Sequence, residues 1–329
     1  MTFGRLTVAL STAALLTLTA CGGDPLEEDS TDSDADTSSQ SSESGDSGGD
    51  DENGALTVGG QNFTEMQVMA AMYEQVLEQG GYDVTTKLVT TRDVYVDELS
   101  KGNVDVVPDY LAGMTDYLNI LKNGEDAPPV STNDPDETLA ALEPLAEEQG
   151  ISMLQPSQAT DQNAFIVTKE YAEENDLQTL SDLGALDEPI KLAAPPDCEG
   201  RSDCEKGLTE VYDIEISEIV PLDFASAQMK DALKTGEVQL GETGTTDGSL
   251  DSLGLVLLED DKGIQPAQNL IPAVNSDFLD ENPEVADVLN ELSSTLTTED
   301  LADLNAQVDL ERQQPEDVAA AYLEEKGLS

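Results

Sequence analysis

The sequence predicts an α/β protein built from two similar lobes, and three observations carry that reading. From residue 55 onward, short apolar runs alternate with amphipathic stretches. Two sub-patterns repeat one design: Asp97-Glu98-Leu99-Ser100-Lys101-Gly102-Asn103-Val104 and Asp231-Ala232-Leu233-Lys234-Thr235-Gly236-Glu237-Val238 each read as a helix ending in Lys, a Gly stop and a strand. The last 55 residues are almost entirely helical in pattern.

Taken in order, Leu56–Gly60 reads as a strand. Phe63–Glu78 follows as a helix with Met66, Met69, Ala70, Tyr73 and Val76 on one face, capped by Asn62 or Thr64. Val84–Val89 is a strand, Asp93–Leu99 a helix and Val104–Val107 a third strand. That succession argues for a parallel sheet. The order then recurs in outline: strands at Phe165–Val167, Ile190–Ala193 and Ile219–Val220, a helix over Ser226–Lys234, and a strand at Val238–Leu240. Three helices close the chain, Pro283–Ser294, Thr298–Gln307 and Pro315–Lys326. Thr298-Glu299 and Gln314-Pro315 give start signals, and Gly327 a stop. Phe63 and Met66 are expected in the core, and Tyr95 either in the core or at a cleft.

Composition removes most chemistry. The 329 residues hold 14 Lys+Arg against 70 Asp+Glu, a formal net charge of −56, and no His. Such a surface repels phosphate, which excludes nucleic acid as a partner. Without His there is no Ser-His-Asp triad, no Cys-His dyad and no His-ligated metal. No activated nucleophile or base pair is visible, no cofactor or metal is implied, and an enzyme is the weakest reading.

Residues 1–20 read as a targeting segment: Arg5 is a short positive region, and Leu6–Leu18 is too short to span a bilayer. Leu18-Thr19-Ala20-Cys21-Gly22 resembles a bacterial lipoprotein signal, which implies lipidation of Cys21 and anchoring to the outer face of the cytoplasmic membrane; an ordinary signal peptide is the alternative. Residues 21–54 read as a disordered tether. From residue 22 they carry twelve acids and no base, too little apolar surface to offset ordering entropy. Beyond residue 54 there are 13 Lys+Arg against 58 Asp+Glu, scattered along the chain. That scatter favours a surface kept hydrated and screened at high salt; a field that attracts cationic solutes is the competing reading. Cys198 and Cys204 lie six apart in an exported chain, so a disulfide is favoured over a metal pair; it brackets Arg201 and closes a loop that contributes about 2.4 kcal/mol in the chain-entropy model.

Several strings in order resemble the substrate-binding proteins of ABC importers for osmoprotectants such as glycine betaine, choline and carnitine. They are Gly60-Gln61-Asn62-Phe63-Thr64-Glu65, Val107-Pro108-Asp109-Tyr110, Thr245-Thr246-Asp247-Gly248, Leu258-Glu259-Asp260-Asp261-Lys262-Gly263 and Leu304-Asn305-Ala306-Gln307-Val308-Asp309. The resemblance runs from about residue 56 to the end. It implies a two-lobed periplasmic-binding-protein fold of type II with the ligand cleft between the lobes: residues 55–157 plus 270–329 as lobe one and 158–269 as lobe two. It also implies an ABC permease and its ATPase as partners.

Quaternary ammonium has no N–H to donate, so its site needs aromatic faces, each giving about 0.5–2 kcal/mol; a carboxylate needs Arg or backbone donors. The resemblance implies Tyr110 as a cage tyrosine, Arg201 as the ligand-carboxylate arginine with Asp203 nearby, and Asp161 as the acid opening the second-lobe segment. Gln61 holds the polar position, beside Asn62, before Phe-Thr-Glu. The sequence departs from the family at Asn163, Gly244 and Gln268, where aromatics are usual, so one of four tyrosines remains. With Thr245, Thr246 and Asn269 the cleft is expected to be hydrogen-bonding. A different polar, polyhydroxylated or aromatic solute is the alternative ligand, and a surface sensing or interaction lipoprotein the alternative role.

Overall fold

The computed structural model describes residues 53–329; the leader, Cys21 and nearly all of the tether lie outside the described residues. The chain first lays down β1 (Ala55–Gln61), α1 (Thr64–Gln79), β2 (Asp83–Val89), α2 (Arg92–Ser100), β3 (Val106–Tyr110), α3 (Leu111–Asn123), α4 (Pro135–Glu147) and β4 (Ile151–Met153). It then crosses to a second lobe: β5 (Asn163–Thr168), α5 (Lys169–Asn175), α6 (Leu180–Gly184), β6 (Ile190–Ala194), α7 (Glu205–Glu210), β7 (Ile216–Pro221), α8 (Ala227–Lys234), β8 (Leu240–Gly244), α9 (Leu250–Leu253) and β9 (Leu255–Leu258). It returns through β10 (Leu270–Asn275) and finishes in α10 (Ser276–Glu281), α11 (Glu284–Thr295), α12 (Thr298–Asp309) and α13 (Pro315–Lys326).

Sheet one runs β2-β1-β3-β10-β4 and sheet two β7-β6-β8-β5-β9. Neither is wholly parallel, which corrects the sequence expectation. β1 is parallel to β2 and β3, and β6 to β7 and β8, but β10 is antiparallel to β3 and β4, and β5 to β8 and β9. The reason is connectivity. β5 and β10 are the first strands after each crossing between lobes, so they enter their sheets from the cleft side and run against the parallel trio. The two crossings touch each other: Thr160 bridges Asn269, and Asp161 N–H donates to the Gln268 carbonyl at 3.1 Å.

Helices cover both faces of each sheet. Met66, Met69 and Tyr73 of α1 pack with Leu289 of α11 and Tyr322 of α13 on one face of sheet one, and Tyr95, Leu99, Leu118 and Leu142 fill the other. Full burial of a side chain such as Met69 contributes about 1.5–3 kcal/mol, and Met69→Ala would cost about 2–5 kcal/mol. In lobe two Leu180, Leu208 and Tyr212 pack with the two cysteines on one face, and Met229, Leu233 and Leu250 on the other.

The repeated sub-patterns form as expected, with Gly102 and Gly236 at φ +71° and +73° directly after the last helical turn. The strands that follow begin later than the apolar residues suggest. Asp105 Oδ2 takes the Thr57 N–H at 2.7 Å, and Gln239 Oε1 takes the Lys191 N–H at 3.0 Å, so side chains satisfy the ladder at the start of β3 and β8. The cap of α1 also differs: Phe63 holds the N-cap position without a side-chain bond, while Asn62 accepts from Gln67 at 2.7 Å. Thr297, not Thr298, caps α12 in a capping box with Asp300.

Candidate functional site

The carboxyl ends of β1, β3 and β8 deliver Gln61, Tyr110 and Gly244 to the gap between the lobes, where open α/β sheets hold their ligands. Tyr110, 8% exposed, donates its hydroxyl to Glu65 Oε1 at 2.5 Å. Glu65 stands in the first turn of α1 and is itself buried; its other oxygen accepts from Asn305 Nδ2 of α12 at 2.8 Å. Asn305 Nδ2 also reaches the Thr246 carbonyl at 3.2 Å, joining α12 to the loop after β8. Asp161, on the first crossing, accepts from Thr246 Oγ1 at 3.0 Å.

Burial first, then repulsion from Glu65, pushes Asp161 up to about 7, while hydrogen bonds from Thr246 and Tyr110 oppose the rise. Burial pushes Glu65 the same way against three hydrogen bonds. Near neutral pH the pair therefore holds a proton that neither carboxylate would keep in water. Burial and the same carboxylates push the Tyr110 phenol far up, so it remains a donor.

Glu65, Asp161, Thr246 and Asn305, though not Tyr110 itself, border a cavity of about 450 Å³ that Phe63 lines from lobe one and Phe224 from lobe two. Phe63 is 39% exposed there and not in the core, which corrects the sequence expectation: at the N-cap its extended backbone leaves the buried face of α1 to begin with Glu65 and Met66. Tyr95 is core, donating to Asp109 Oδ2 at 2.5 Å.

Arg201 lies in the loop closed by the Cys198–Cys204 disulfide, S–S 2.01 Å, so the two sulfurs are bonded to each other. Its guanidinium grips Asp203 with both Nε, 3.0 Å, and Nη2, 2.6 Å, and lies 3.7 Å from Glu242. Asn163 reaches Asp203 at 3.4 Å. Burial pushes the Glu242 carboxyl up to about 7 against the pull of Arg201. Arg92 is held in the same manner, 2.8 Å from Asp109.

Gln61, Asn62, Asn163, Arg201, Thr245 and Gln268 are not among the residues that line the cavity of about 450 Å³. Thr245 accepts from Gln162 N–H at 3.0 Å and donates to the Thr160 carbonyl at 2.9 Å, pinning the crossing to β8. Gln268 Oε1 accepts the Gly113 N–H at 3.0 Å in the first turn of α3. Gln61 Nε2 stands 3.5 Å from the Thr90 carbonyl. Asn163 and Thr245 line a separate cavity of about 360 Å³. The structure thus brings Tyr110, Asp161 and Thr246 together. It adds Glu65, Asn305 and Phe224, which sequence reasoning had not chosen. Glu65 and Asn305 sit inside two of the family-like strings, and Phe224 follows the carboxyl end of β7.

Two α/β lobes crossed twice by the chain, with a polar cavity between them, define a type II solute-binding protein of the periplasmic-binding-protein class. The chain belongs to the family described as the substrate-binding domain of the ABC-type glycine betaine transport system, whose model matches residues 54–325. It is 29% identical over 282 residues to the glycine-betaine-binding protein of Pseudomonas aeruginosa, covering 83% of this chain and 88% of that protein. It is 25% identical over 274 residues to the carnitine transport binding protein OpuCC of Listeria monocytogenes, covering 82% and 86%. Among solved structures, apo YehZ of Escherichia coli superposes with a TM-score of 0.72 at 26% identity, covering 84% of this chain and 99% of that one. Such proteins are extracytoplasmic solute-binding components that serve an ABC permease, not enzymes. Among the described residues, no helix is long and apolar enough to cross a membrane.

Proposed function

We propose that the chain captures a small osmolyte with a quaternary ammonium group, as glycine betaine has, in the cavity between lobe one (55–157 plus 270–329) and lobe two (158–269). Lobe closure then presents it to a permease driven by an ATPase subunit, with Cys21 carrying the lipid anchor. The observation behind this reading is the Tyr110–Glu65–Asp161 cluster beside a cavity bordered by Phe63 and Phe224. Aromatic faces and carboxylates are what a methylated cation can use. The names of the relatives, which bind glycine betaine and carnitine, support it. Closure follows if the ligand gains contacts in the closed state that the open state lacks. Asp161 and Thr246 are proposed as ligand-side groups at the cavity wall, with Tyr110 holding Glu65 beside them; Gln61, Asn62, Asn163, Arg201, Thr245 and Gln268 lie outside its lining and are proposed as supporting groups.

A thermal-shift screen at high salt with quaternary amines, proline, ectoine, polyols and phenols tests the reading. A ligand of the folded state raises the melting midpoint. A rise with a quaternary amine is expected; silence from all of them with a rise elsewhere would favour the second reading, a different polar solute, which Asn163 and Gly244 motivate.

A further inference from the structure

Ligand charge is the next question the cleft answers, and the answer rests on the osmolyte-binding reading above. Two arginines stand near the gap, and both are already neutralised: Arg201 by Asp203, with Glu242 and Asp197 close by, and Arg92 by Asp109. The cavity itself is lined by four acids, Glu65, Asp161, Asp247 and Asp309, and by one base, Lys230, which is 2.5 Å from Asp247. Even with one proton shared between Glu65 and Asp161, the lining is negative. The α1 N-terminus contributes about half a positive charge, but the C-terminal turn of α12 borders the same cavity and offsets it. A carboxylate placed here would face acids and would have to break an existing Arg–Asp pair to find a partner.

Two further observations say what a ligand would meet. Phe63 and Phe224, 39% and 44% exposed, line the cavity from opposite lobes. Asn305 lines it too and is nine-tenths buried, yet its Oδ1 has no hydrogen-bond partner among the described residues. That oxygen is enclosed, so it is an unsatisfied acceptor within the cavity wall and not a contact open to a ligand in this arrangement. At position 244 a side chain would crowd this space: a Cβ there would stand 3.1 Å from Asp161 Oδ1 and 3.8 Å from Phe224 Cζ. Glycine thus leaves the Asp161 carboxylate and the Phe224 ring open to the same ligand.

We infer that the cleft selects a monocation, a quaternary-ammonium cation such as choline in preference to a zwitterionic betaine, with Phe63 and Phe224 supplying aromatic faces. Phe224 is then a specificity-determining residue of lobe two, and Gly244 keeps its ring accessible.

Titration calorimetry of the protein with choline, glycine betaine and the uncharged isostere 3,3-dimethyl-1-butanol tests this. Choline is expected to bind at least tenfold more tightly than either. Phe224→Ala, at an exposed position that leaves the fold intact by circular dichroism, is expected to weaken choline at least fivefold. Glycine betaine binding as tightly as choline, or more so, would overturn the inference and leave the osmolyte reading standing. Equal binding of choline and its uncharged isostere would overturn it as well. Binding of no quaternary amine would overturn the osmolyte reading and the inference together.

Discussion

Gly248 rests against Ala302: a Cβ added at 248 would lie 2.2 Å from the Ala302 carbonyl oxygen and 2.7 Å from the Ala306 Cβ. The loop after β8 therefore meets α12 backbone to backbone, at the same place where Asn305 Nδ2 bonds the Thr246 carbonyl. Gly248→Ala should push the two lobes apart there. We expect a lower melting midpoint and a ligand affinity reduced tenfold or more; small-angle scattering would report the wider gap, and a variant with unchanged affinity and radius would refute this role.

Tyr110→Phe removes the hydroxyl that Glu65 accepts at 2.5 Å. The buried carboxylate loses a donor, which should cost about 1–3 kcal/mol in chemical denaturation. A loss below a few tenths would mean that Glu65 finds a replacement donor.

Glu242 titrates in the folded protein near 7, above its ordinary value, because burial penalises its charge. Its contribution to stability is complete below about pH 4.5 and is lost as pH rises through about 7. Asp161, raised to about 7, adds to the same trend. Between pH 5 and 8 the wild type should lose stability relative to Glu242→Gln, by up to about 3 kcal/mol. Parallel melting curves for the two proteins across that window would remove Glu242 from the account.

Reduction of Cys198–Cys204 should lower stability by about 2.4 kcal/mol and loosen the loop that carries Arg201. Melts with and without reductant, alongside Cys198→Ser/Cys204→Ser, check it: the double variant should match the reduced protein and ignore reductant.

The acid excess predicts a salt response. Raising KCl from 0.1 to 1 M shortens the screening length from about 10 to about 3 Å, which should relieve repulsion among 58 carboxylates facing 13 bases. The melting midpoint should climb with salt, and a flat or falling curve would contradict the high-salt reading of the surface.

Periodicity was enough for α1, β2, α8 and α13, whose apolar residues fall on one face or run together between turn signals. It was not enough for β10. Leu270-Ile271-Pro272-Ala273-Val274-Asn275 contains a proline, which argues against a central strand. In the sheet Pro272 stands opposite Pro108, and its carbonyl accepts from the N–H of Leu154, the residue just after β4, at 3.0 Å. Neither proline has an N–H to offer the other, so the pair occupies a non-hydrogen-bonded site of the ladder. The cluster around Asp161 was half legible. Tyr110 and Asp161 could be chosen from family-like strings, but Phe224 and Asn305 join them only through the folding of lobe two against α12, which no local pattern encodes.

The placement of β10 also sets an order of assembly. All five strands of sheet two come from one continuous stretch, residues 163–258, whereas β3 and β4 share no neighbour until β10 slides between them. As the chain emerges from its N-terminus, the inserted lobe can finish first. The lobe that begins the sequence must wait, with β1, β2 and β3 paired but one edge open, for residues 270–275 to close it and for α11–α13 to cover α1. Loss of the last sixty residues would therefore unmake the beginning of the protein and leave its middle whole.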